Sequence, residues 1–466
     1  MRYTSLIQRS SICQAALRDL SPIELQGHVT GLSGLMVDID GLAGHVSIGD
    51  RLLLASRDGR GVPAEIVAFH HGTAQAMPFA AVDGLGPGSV ALLHGGTTTR
   101  HSVRPGFAFG GGGTLAVTDA WLGRVLDPLG RALDERGPLP PGTHQRSVRA
   151  APPDATARAR LGPRLDLGVR ALNCFTTCRQ GQRLGLFSGS GIGKSSLLAM
   201  LARHTACDVA VLALVGERGR EVREFLEDDL GPSGLARSVV VVATSDSPPL
   251  MRRQAAYTAM TVAEHFRDQG NSVLLLMDSV TRFCLALREI GLSAGEPPAT
   301  RGYPPSMFAE LPRLLERAGP GIERPDGTAG HITGLFSVLV EGDDHNEPVA
   351  DAVRGILDGH IVLDRRIAEG GRYPAVDVLR SLSRAVPGCN QAAENALARR
   401  ARAILALHAD MADMVRLGAY RAGSDAAVDE AVALAPRIEA MLRQERGEQS
   451  SIEDSFAQLR TALEPV

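Results

Sequence analysis

A phosphate-binding loop is the clearest chemical motif of the chain. Residues 187–196 read FSGSGIGKSS and match the pattern G-x-x-x-x-G-K-[ST] at Gly193, Lys194 and Ser195. Ser188 stands where the pattern has its first glycine, a position that only has to be small for the turn to form. In such a loop backbone N–H groups and a helix N-terminus bind phosphate oxygens, the lysine reaches the β- and γ-phosphates, and the following hydroxyl ligates Mg²⁺. The predicted nucleotide contacts are Gly189, Ser190, Gly191, Ile192, Gly193, Lys194, Ser195 and Ser196.

Two acidic residues follow apolar, strand-like runs, where a nucleotide site needs carboxylates. The run VLLLMD ends at Asp278, which is placed to give a second Mg²⁺ contact; the alternative is a turn residue or a helix cap. The segment VGERGREVREF follows another such run, and Glu217 within it is placed to polarise the attacking water. Arg218 is a further candidate beside it. The alternative for this segment is a solvent-exposed ladder of ion pairs along a helix.

The elements that would position these residues alternate along the middle of the chain. Between about 160 and 385, short apolar runs are separated by amphipathic helical segments. Continuous apolar runs of this kind are typical of strands buried on both faces of a parallel sheet, so we predict an α/β domain there. The predicted strands are 184–187, 209–215, 238–244, 273–278 and 332–340.

Different sequence patterns flank this middle region. From about 21 to 98, short apolar pieces are punctuated by Gly and Asp, which predicts a small β-barrel or sandwich. After about 385 the chain is rich in Ala, Leu, Arg and Glu, which predicts a helical bundle. Near its end, Ser451 and Asp454 resemble a capping box in front of an apolar helical face. Residues 1–20 have the spacing of a short amphipathic helix, with a frayed tail as the alternative.

Composition and charge argue against several classes of protein. The 466 residues exceed one ordinary core and predict about three domains. The 49 basic and 52 acidic side chains nearly balance, and the barrel region has only Phe69 and Phe79 as aromatics, so we expect no nucleic-acid binding. The six cysteines lack a metal-binding spacing, which predicts reduced thiols. Without a signal-peptide pattern or a run of about 18 apolar residues, a cytosolic protein is expected.

Several segments resemble the catalytic subunits of rotary ATP synthases and their relatives, which have a RecA-like core. These are DAWLGRVLDPLGRALD, GERGREVREF, PPLMRRQAAYTAMTVAEHFRDQG, LLLMDSVTRF and GRYPAVDVLRSLSR. Three others, GEPPATRGYPPSMFAELPRLLERAG, EGDDHNEPVAD and ILDGHIVLDR, are similar to the flagellar and virulence-associated ATPases of type III protein export. The resemblance covers roughly residues 21–440, and VRGILDGHIVLDRRIAE and SRAVPGCN favour the flagellar branch.

The resemblance implies an α/β fold with a RecA-like P-loop ATPase core, an N-terminal β-barrel and a C-terminal α-helical domain. It also implies a homohexamer with sites for ATP and Mg²⁺ between subunits. Carried onto this chain, Lys194 binds phosphate, Ser195 and Asp278 hold Mg²⁺, and Glu217 is the catalytic carboxylate, with Arg218 beside it. The expected domains are a regulator-binding segment (1–20), the barrel (21–98), the ATPase domain (99–384) and the helical domain (385–466).

Two further roles and two departures come from the same resemblance. Tyr373, in RYPAVD, matches the aromatic residue that stacks on adenine, whereas a core tyrosine is the alternative without the resemblance. Arg384, in SLSR, matches an arginine finger inserted into the neighbouring subunit's site; alone it would be a surface arginine. Asp364 stands where the family usually has Ser, and Glu347 where Asp is usual. Both keep a polar side chain outside the phosphate loop, so ATP hydrolysis is still expected.

The expected function is ATP hydrolysis that drives type III export, with chaperone release and unfolding of export substrates. The alternatives are a virulence-associated secretion ATPase, a rotary ATP synthase subunit and an RNA-translocating hexamer. The implied partners are a negative regulator, or stator-like export protein, bound by residues 1–20, and a stalk protein in the ring centre. Membrane proteins of the export gate and chaperone–substrate complexes complete the set. Association with the inner membrane would be peripheral.

Overall fold

A closed β-barrel opens the described part of the chain. The structure, a computed structural model, describes residues 25–93, 113–140, 142–340 and 347–465, so the segment predicted at 1–20 lies outside the described residues. The barrel strands are β1 Gln26–Ser33, β2 Met36–Asp40, β3 Arg51–Ala55, β4 Gly61–His70, β5 Thr73–Pro78 and β6 Val90–Leu93. They close in the order β1-β2-β5-β4-β3-β6. Alternate residues such as Val29, Ile39 and Leu54 point inward and form the barrel's own core.

A nine-stranded, mostly parallel sheet forms the centre of the molecule. The short strands of this region are β7 Thr114–Leu115, β8 Val125–Leu126, β9 Arg146–Ser147, β10 Arg164–Leu165, β11 Cys178–Arg179 and β16 Gly319–Pro320. The others are β12 Arg183–Ser188, β13 Val209–Glu217, β14 Ser238–Thr244, β15 Ser272–Asp278, β17 His331–Leu339, β18 Gly359–Val362 and β19 Leu382–Ser383. The sheet order is β19-β18-β12-β17-β15-β13-β14-β8, with β16 paired to β17. The five strands predicted from apolar runs are β12, β13, β14, β15 and β17, and the predicted fold class is confirmed.

Helices cover both faces of this sheet. In the central region they are α1 Arg170–Phe175, α2 Lys194–His204, α3 Gly219–Glu224, α4 Gly231–Ala236, α5 Pro249–Asp268, α6 Val280–Ser293, α7 Pro305–Leu315, α8 Pro348–Ile356 and α9 Arg365–Glu369. The C-terminal helices are α10 Ala392–Arg416, α11 Ala426–Leu442 and α12 Ile452–Ala462. Helices α5, α6 and α7 share one core with one face of the sheet. The three C-terminal helices share the other core with α2, so they pack on the face that carries the phosphate loop.

A local signal explains how the last helix begins. Ser451 caps α12, because its hydroxyl accepts a hydrogen bond from the backbone N–H of Asp454 at 3.0 Å. Ile452, Phe456 and Leu459 on the predicted apolar face of α12 are buried.

Among the described residues, no helix is long and apolar enough to cross a bilayer.

The barrel is held against α5 by apolar packing and a buried ion pair. Met36, Met77 and Phe79 of the barrel region pack with residues of the ATPase domain that include Leu250. Glu65 on β4 accepts two 2.7 Å hydrogen bonds from Arg253 on α5, and both side chains are about 95% buried. Moving the barrel away from α5 would separate this pair and leave an uncompensated buried charge. The contact therefore fixes the position of the barrel relative to α5.

Candidate active site

The phosphate loop connects the end of β12 to the first turn of α2. Gly191 and Gly193 have φ angles of 76° and 87°, a left-handed conformation that side-chain-bearing residues rarely adopt. Gly193 is the N-cap of α2, and no described side chain caps this helix, so its first N–H groups stay available for an anion. The loop is also tied to α9, because Arg365 donates a 3.1 Å hydrogen bond to the carbonyl of Ser190. Ser195 lies in the first turn of α2 with its side chain exposed.

Lys194, Asp278 and Glu217 meet at the carboxyl-terminal edge of the sheet. The Lys194 ammonium contacts Asp278 Oδ1 directly and lies 3.8 Å from Glu217 Oε1. The hydroxyl of Ser337, on β17, donates a 2.6 Å hydrogen bond to the same Oδ1. Asp278 is 4% exposed, so its charge is compensated by these donors rather than by bulk water. Three residues that the sequence predicted separately therefore form one cluster.

The surroundings of Glu217 within this cluster alter its affinity for a proton. Burial and the nearby Asp278 carboxylate raise the pKa of Glu217, while Lys194 and Arg282 oppose the rise. A carboxylate with a raised pKa is a stronger base than an ordinary glutamate, which suits proton acceptance from water. Sequence reasoning missed Arg282. It comes four residues after Asp278, and its side chain packs so closely on Gly216 that a Cβ there would lie 3.0 Å from it.

Tyr373 borders a pocket beside the phosphate loop. Its side chain is 46% exposed, and a Cβ added to Gly193 would lie 3.2 Å from its ring. The pocket has a volume of ≈ 450 Å³ and is lined on one side by Gly191, Gly193, Ser196 and Leu197. A further part of its wall is the segment 443–446 of the C-terminal region, whose Gln444 donates a backbone hydrogen bond to the Tyr373 carbonyl at 2.9 Å. The sequence contained no signal for this wall, because RQER is typical of a solvated loop.

Arg384 lies far from the phosphate loop of its own chain. Its backbone N–H donates to the carbonyl of Asp358 at 2.9 Å, and its neighbour Ser383 pairs with Gly359, the first residue of β18. Since β18 runs parallel to β12, Arg384 lies at the amino-terminal edge of the sheet. The loop begins at the other end of β12, roughly 16 Å away at the usual rise per strand residue. Arg384 is exposed at this edge.

Arg218 and the two family departures occupy capping positions outside the cluster. Arg218 precedes α3, is 78% exposed, and pairs with Glu221 at 3.0 Å, as the ion-pair alternative predicted. Asp364 caps α9 by accepting a 2.7 Å hydrogen bond from the N–H of Arg366, so it performs the local role that a serine would have there. Glu347 is the N-cap residue of α8.

Comparison with known proteins identifies the family. Residues 168–383 match the ATP synthase alpha/beta family, nucleotide-binding domain, and residues 391–461 match the T3SS EscN ATPase C-terminal domain. The chain is 51% identical over 452 residues to a flagellum-specific ATP synthase of Caulobacter vibrioides, covering 97% of this chain and 98% of that protein. The chain belongs to the type III export ATPases. Another relative of this export ATPase, 44% identical with 94% of both chains covered, is a type 3 secretion system ATPase of Xanthomonas euvesicatoria.

Solved structures agree with this family assignment. The export ATPase superposes on the assembled ATPase EscN of the enteropathogenic E. coli type III secretion system with a TM-score of 0.83 and 37% identity. The match covers 94% of this chain and all of the EscN chain. EscN in complex with its central stalk EscO gives a TM-score of 0.81 at the same identity and coverage. The predicted family, the ATPase activity and the three-part architecture are confirmed, whereas the roles of individual site residues stay predictions.

Proposed function

We propose that this export ATPase hydrolyses ATP in a homohexameric ring to drive flagellar type III protein export. The observation that carries the proposal is the cluster of Lys194, Asp278 and Glu217 directly beneath an uncapped helix N-terminus. The 51% identity to a flagellum-specific relative, against 37% to EscN, supports the flagellar branch. The virulence-associated branch is the second candidate, because a secretion ATPase is 44% identical over nearly the whole chain.

Mg²⁺ fits the oxygen donors at this site. Magnesium in proteins is usually held by one or two carboxylates together with substrate phosphates and water. The buried Asp278 carboxylate and the exposed Ser195 hydroxyl supply such donors, and the described residues hold no cluster of three or more His, Cys, Asp or Glu side chains that would bind a metal alone. We infer that Ser195 and Asp278 hold the ion, which would neutralise phosphate charge. These two residues are the proposed metal site.

Lys194 and Glu217 then have distinct chemical tasks. With nucleotide bound, Lys194 exchanges its contact with Asp278 for the β- and γ-phosphates, where it stabilises negative charge. Glu217 orients the attacking water and takes up its proton, a task supported by its raised pKa. The N–H groups of residues 189–196 hold the phosphates. Tyr373 stacks on adenine in the pocket between the loop and segment 443–446.

Arg384 completes the site of a neighbouring subunit. Its position at the opposite edge of the sheet from its own phosphate loop supports a role in trans, because a ring brings opposite faces of adjacent copies together. The relative EscN has been solved as an assembly and with a central stalk. We propose the same arrangement, a homohexamer around a stalk protein, for this chain. Arg218 lies next to Glu217 and is proposed as a further catalytic residue.

The remaining partners follow from the proposed role in export. Residues 1–20 are proposed to bind the negative regulator or stator-like export protein, and the ring to act on chaperone–substrate complexes at the membrane proteins of the export gate. The proposed location is the cytoplasm, with peripheral association at the inner membrane. Nucleic acid is not a proposed partner, since the charge balance is close to neutral.

A complementation experiment tests the function. A strain that lacks this chain is supplied with the wild type or with Lys194→Ala, and flagellar filaments, secreted flagellar proteins and secreted virulence proteins are quantified. We expect the wild type to restore flagella and Lys194→Ala to fail, because alanine cannot stabilise the negative charge of the β- and γ-phosphates. Restoration by Lys194→Ala would contradict the catalytic assignment. Loss of virulence-protein secretion with normal flagella would move the chain to the other branch.

A further inference from the structure

Ser337 lies in the strand that separates the phosphate loop from Asp278. In the sheet β17 runs between β12 and β15. Its register pairs Ser337 with Leu186 of β12 and Phe336 with Met277 of β15. The residues that follow this second pair, Ser337 and Asp278, are therefore neighbours as well. The side chain of Ser337 is 0% exposed, and its hydroxyl donates the 2.6 Å hydrogen bond to Asp278 Oδ1. Strand register and side-chain contact thus agree on one pairing.

The surroundings of Ser337 are apolar on the face it shares with Asp278. Leu186, Leu276 and Leu335, on three adjacent strands, belong to one core cluster on this face. A hydroxyl buried among such residues weakens stability unless it has a partner. Packing alone would be served as well by alanine, so the hydroxyl matters here through its hydrogen bond to Asp278.

Lys194 and Ser337 share one oxygen of Asp278. In the proposed function Lys194 leaves this oxygen for the phosphates when nucleotide binds. Ser337 cannot follow, because it belongs to a central strand that pairs on both sides. Its hydroxyl is therefore the donor that stays with Asp278 throughout nucleotide binding.

We propose that Ser337 is a positioning residue for the metal site, whose hydroxyl keeps the Asp278 carboxylate fixed while Lys194 exchanges partners. The proposal rests on the proposed function, in which Asp278 holds Mg²⁺. Removing an outer-shell partner of a metal ligand typically weakens metal affinity by about 10–100-fold. The predicted defect is therefore in Mg²⁺ dependence rather than in binding of the nucleotide itself.

The test measures binding of a fluorescent ADP analogue, without hydrolysis, as Mg²⁺ is titrated. For Ser337→Ala we expect the Mg²⁺ concentration of half-maximal binding to rise about 10-fold relative to the wild type. Ser337→Thr retains the hydroxyl, and its midpoint should return to the wild-type value. In EDTA the wild type and both variants should bind the analogue with equal affinity.

Thr333→Val is the matched control. Thr333 lies on the same strand and face as Ser337 but at the other end, where its hydroxyl accepts a 3.0 Å hydrogen bond from the N–H of Gly181. This variant should lower the melting temperature and leave the Mg²⁺ midpoint unchanged. An unchanged Mg²⁺ midpoint for Ser337→Ala would overturn the inference. Binding of the analogue that is weakened by the same factor in EDTA as in Mg²⁺ would also overturn it, because that result indicates a structural defect. A wild type that shows neither Mg²⁺-dependent binding nor hydrolysis would instead reject the proposed function.

Discussion

At the scale of single residues, the site combines one lysine with two acids of different character. Asp278 is almost fully buried and accepts hydrogen bonds from two donors, whereas Glu217 lies at the margin of the cluster. Burial and the charge of Asp278 make Glu217 easier to protonate. This shift matches the task proposed for Glu217, since a base must accept a proton.

Glu217→Gln should separate nucleotide binding from hydrolysis. The amide keeps the size of the side chain but cannot accept a proton, so we expect turnover to fall about 10²–10⁴-fold while affinity for ATP is nearly unchanged. Steady-state kinetics and titration with a fluorescent ATP analogue measure the two quantities. Glu224→Gln, a change of an exposed acid seven residues later that pairs with the exposed Arg220, is the control and should behave as the wild type. Equal losses of binding and turnover would indicate a structural role for Glu217.

The raised pKa of Glu217 also predicts a pH dependence. As pH falls, Glu217 takes up a proton at a higher pH than an ordinary glutamate, whose pKa is about 4.3, and the base is lost. The acid limb of kcat/KM for the wild type should therefore lie above that value. The residual activity of Glu217→Gln should lack this limb. An identical limb in both proteins would assign the titration to another group.

At the scale of elements, the segment between α11 and α12 joins the C-terminal helices to the nucleotide site. Gln444 is 3% exposed, and its side chain accepts from the N–H of Arg170 and donates to the carbonyls of Gly168 and Glu448. Its backbone N–H binds the carbonyl of Tyr373. The wall of the pocket beside Tyr373 is thus built on a buried side chain that links three parts of the chain.

Gln444→Ala should weaken both the fold and the pocket beside Tyr373. Each buried group left without a partner costs about 1–3 kcal/mol, so the apparent free energy of unfolding should fall by at least about 1 kcal/mol. KM for ATP should rise, because the segment that holds Tyr373 becomes less ordered. Urea denaturation and steady-state kinetics measure these effects. Gln449→Ala is the control, because the Gln449 side chain makes one 3.3 Å contact at the surface. Equal effects of the two variants would contradict the role of Gln444.

At the scale of the whole molecule, the two proposed halves of the site lie at opposite ends of the strands of one sheet. Lys194, Asp278 and Glu217 are at the carboxyl-terminal edge, and Arg384 is at the amino-terminal edge. The two ends of a parallel sheet are separated by the length of its strands. One chain therefore cannot bring its own Arg384 to its own phosphate loop. Association of copies is therefore required for a site that uses Arg384.

Mixed rings test this arrangement. Alone, Arg384→Ala should lose about 10³–10⁵-fold in turnover, and Lys194→Ala should be inactive. In rings assembled from equal amounts of both, about one quarter of the interfaces combine an intact Lys194 with an intact Arg384, so activity should partly recover. ATP hydrolysis by rings purified through two different tags is the measurement. Rings of Lys194→Ala with Glu217→Gln, both altered in the same half, are the control and should show no recovery. No recovery in the first mixture would count against a finger acting in trans.

Much of the site could be predicted from the sequence because its central motifs are local. The phosphate loop needs only a strand, small residues and a helix in succession, and the apolar runs of β12, β13 and β15 identified the strands that carry its partners. Asp278 and Glu217 were found because each comes at the end of such a run. The cap at Ser451 was found in the same way, since a cap depends on residues within one turn.

The contributions of Ser337, Arg282 and segment 443–446 could not be predicted in this way. Ser337 and segment 443–446 lie outside a recognisable motif, and nothing in LLLMDSVTRF marks Arg282 as part of the site. All three meet the site only through folding. Ser337 reaches Asp278 because β17 enters the sheet between β12 and β15, an order set by the crossovers and not by the periodicity of any strand.

The sequence by itself determined the candidates for the chemistry of the site, namely a phosphate loop and an aspartate and a glutamate that each follow an apolar run, since each depends on neighbours along the chain. The tertiary structure decided which residues support that chemistry and from which side. Strand order put Ser337 against Asp278, and the direction of the strands put Arg384 at the far edge. These relations arise from contacts between distant segments, which a pattern of neighbouring residues does not contain.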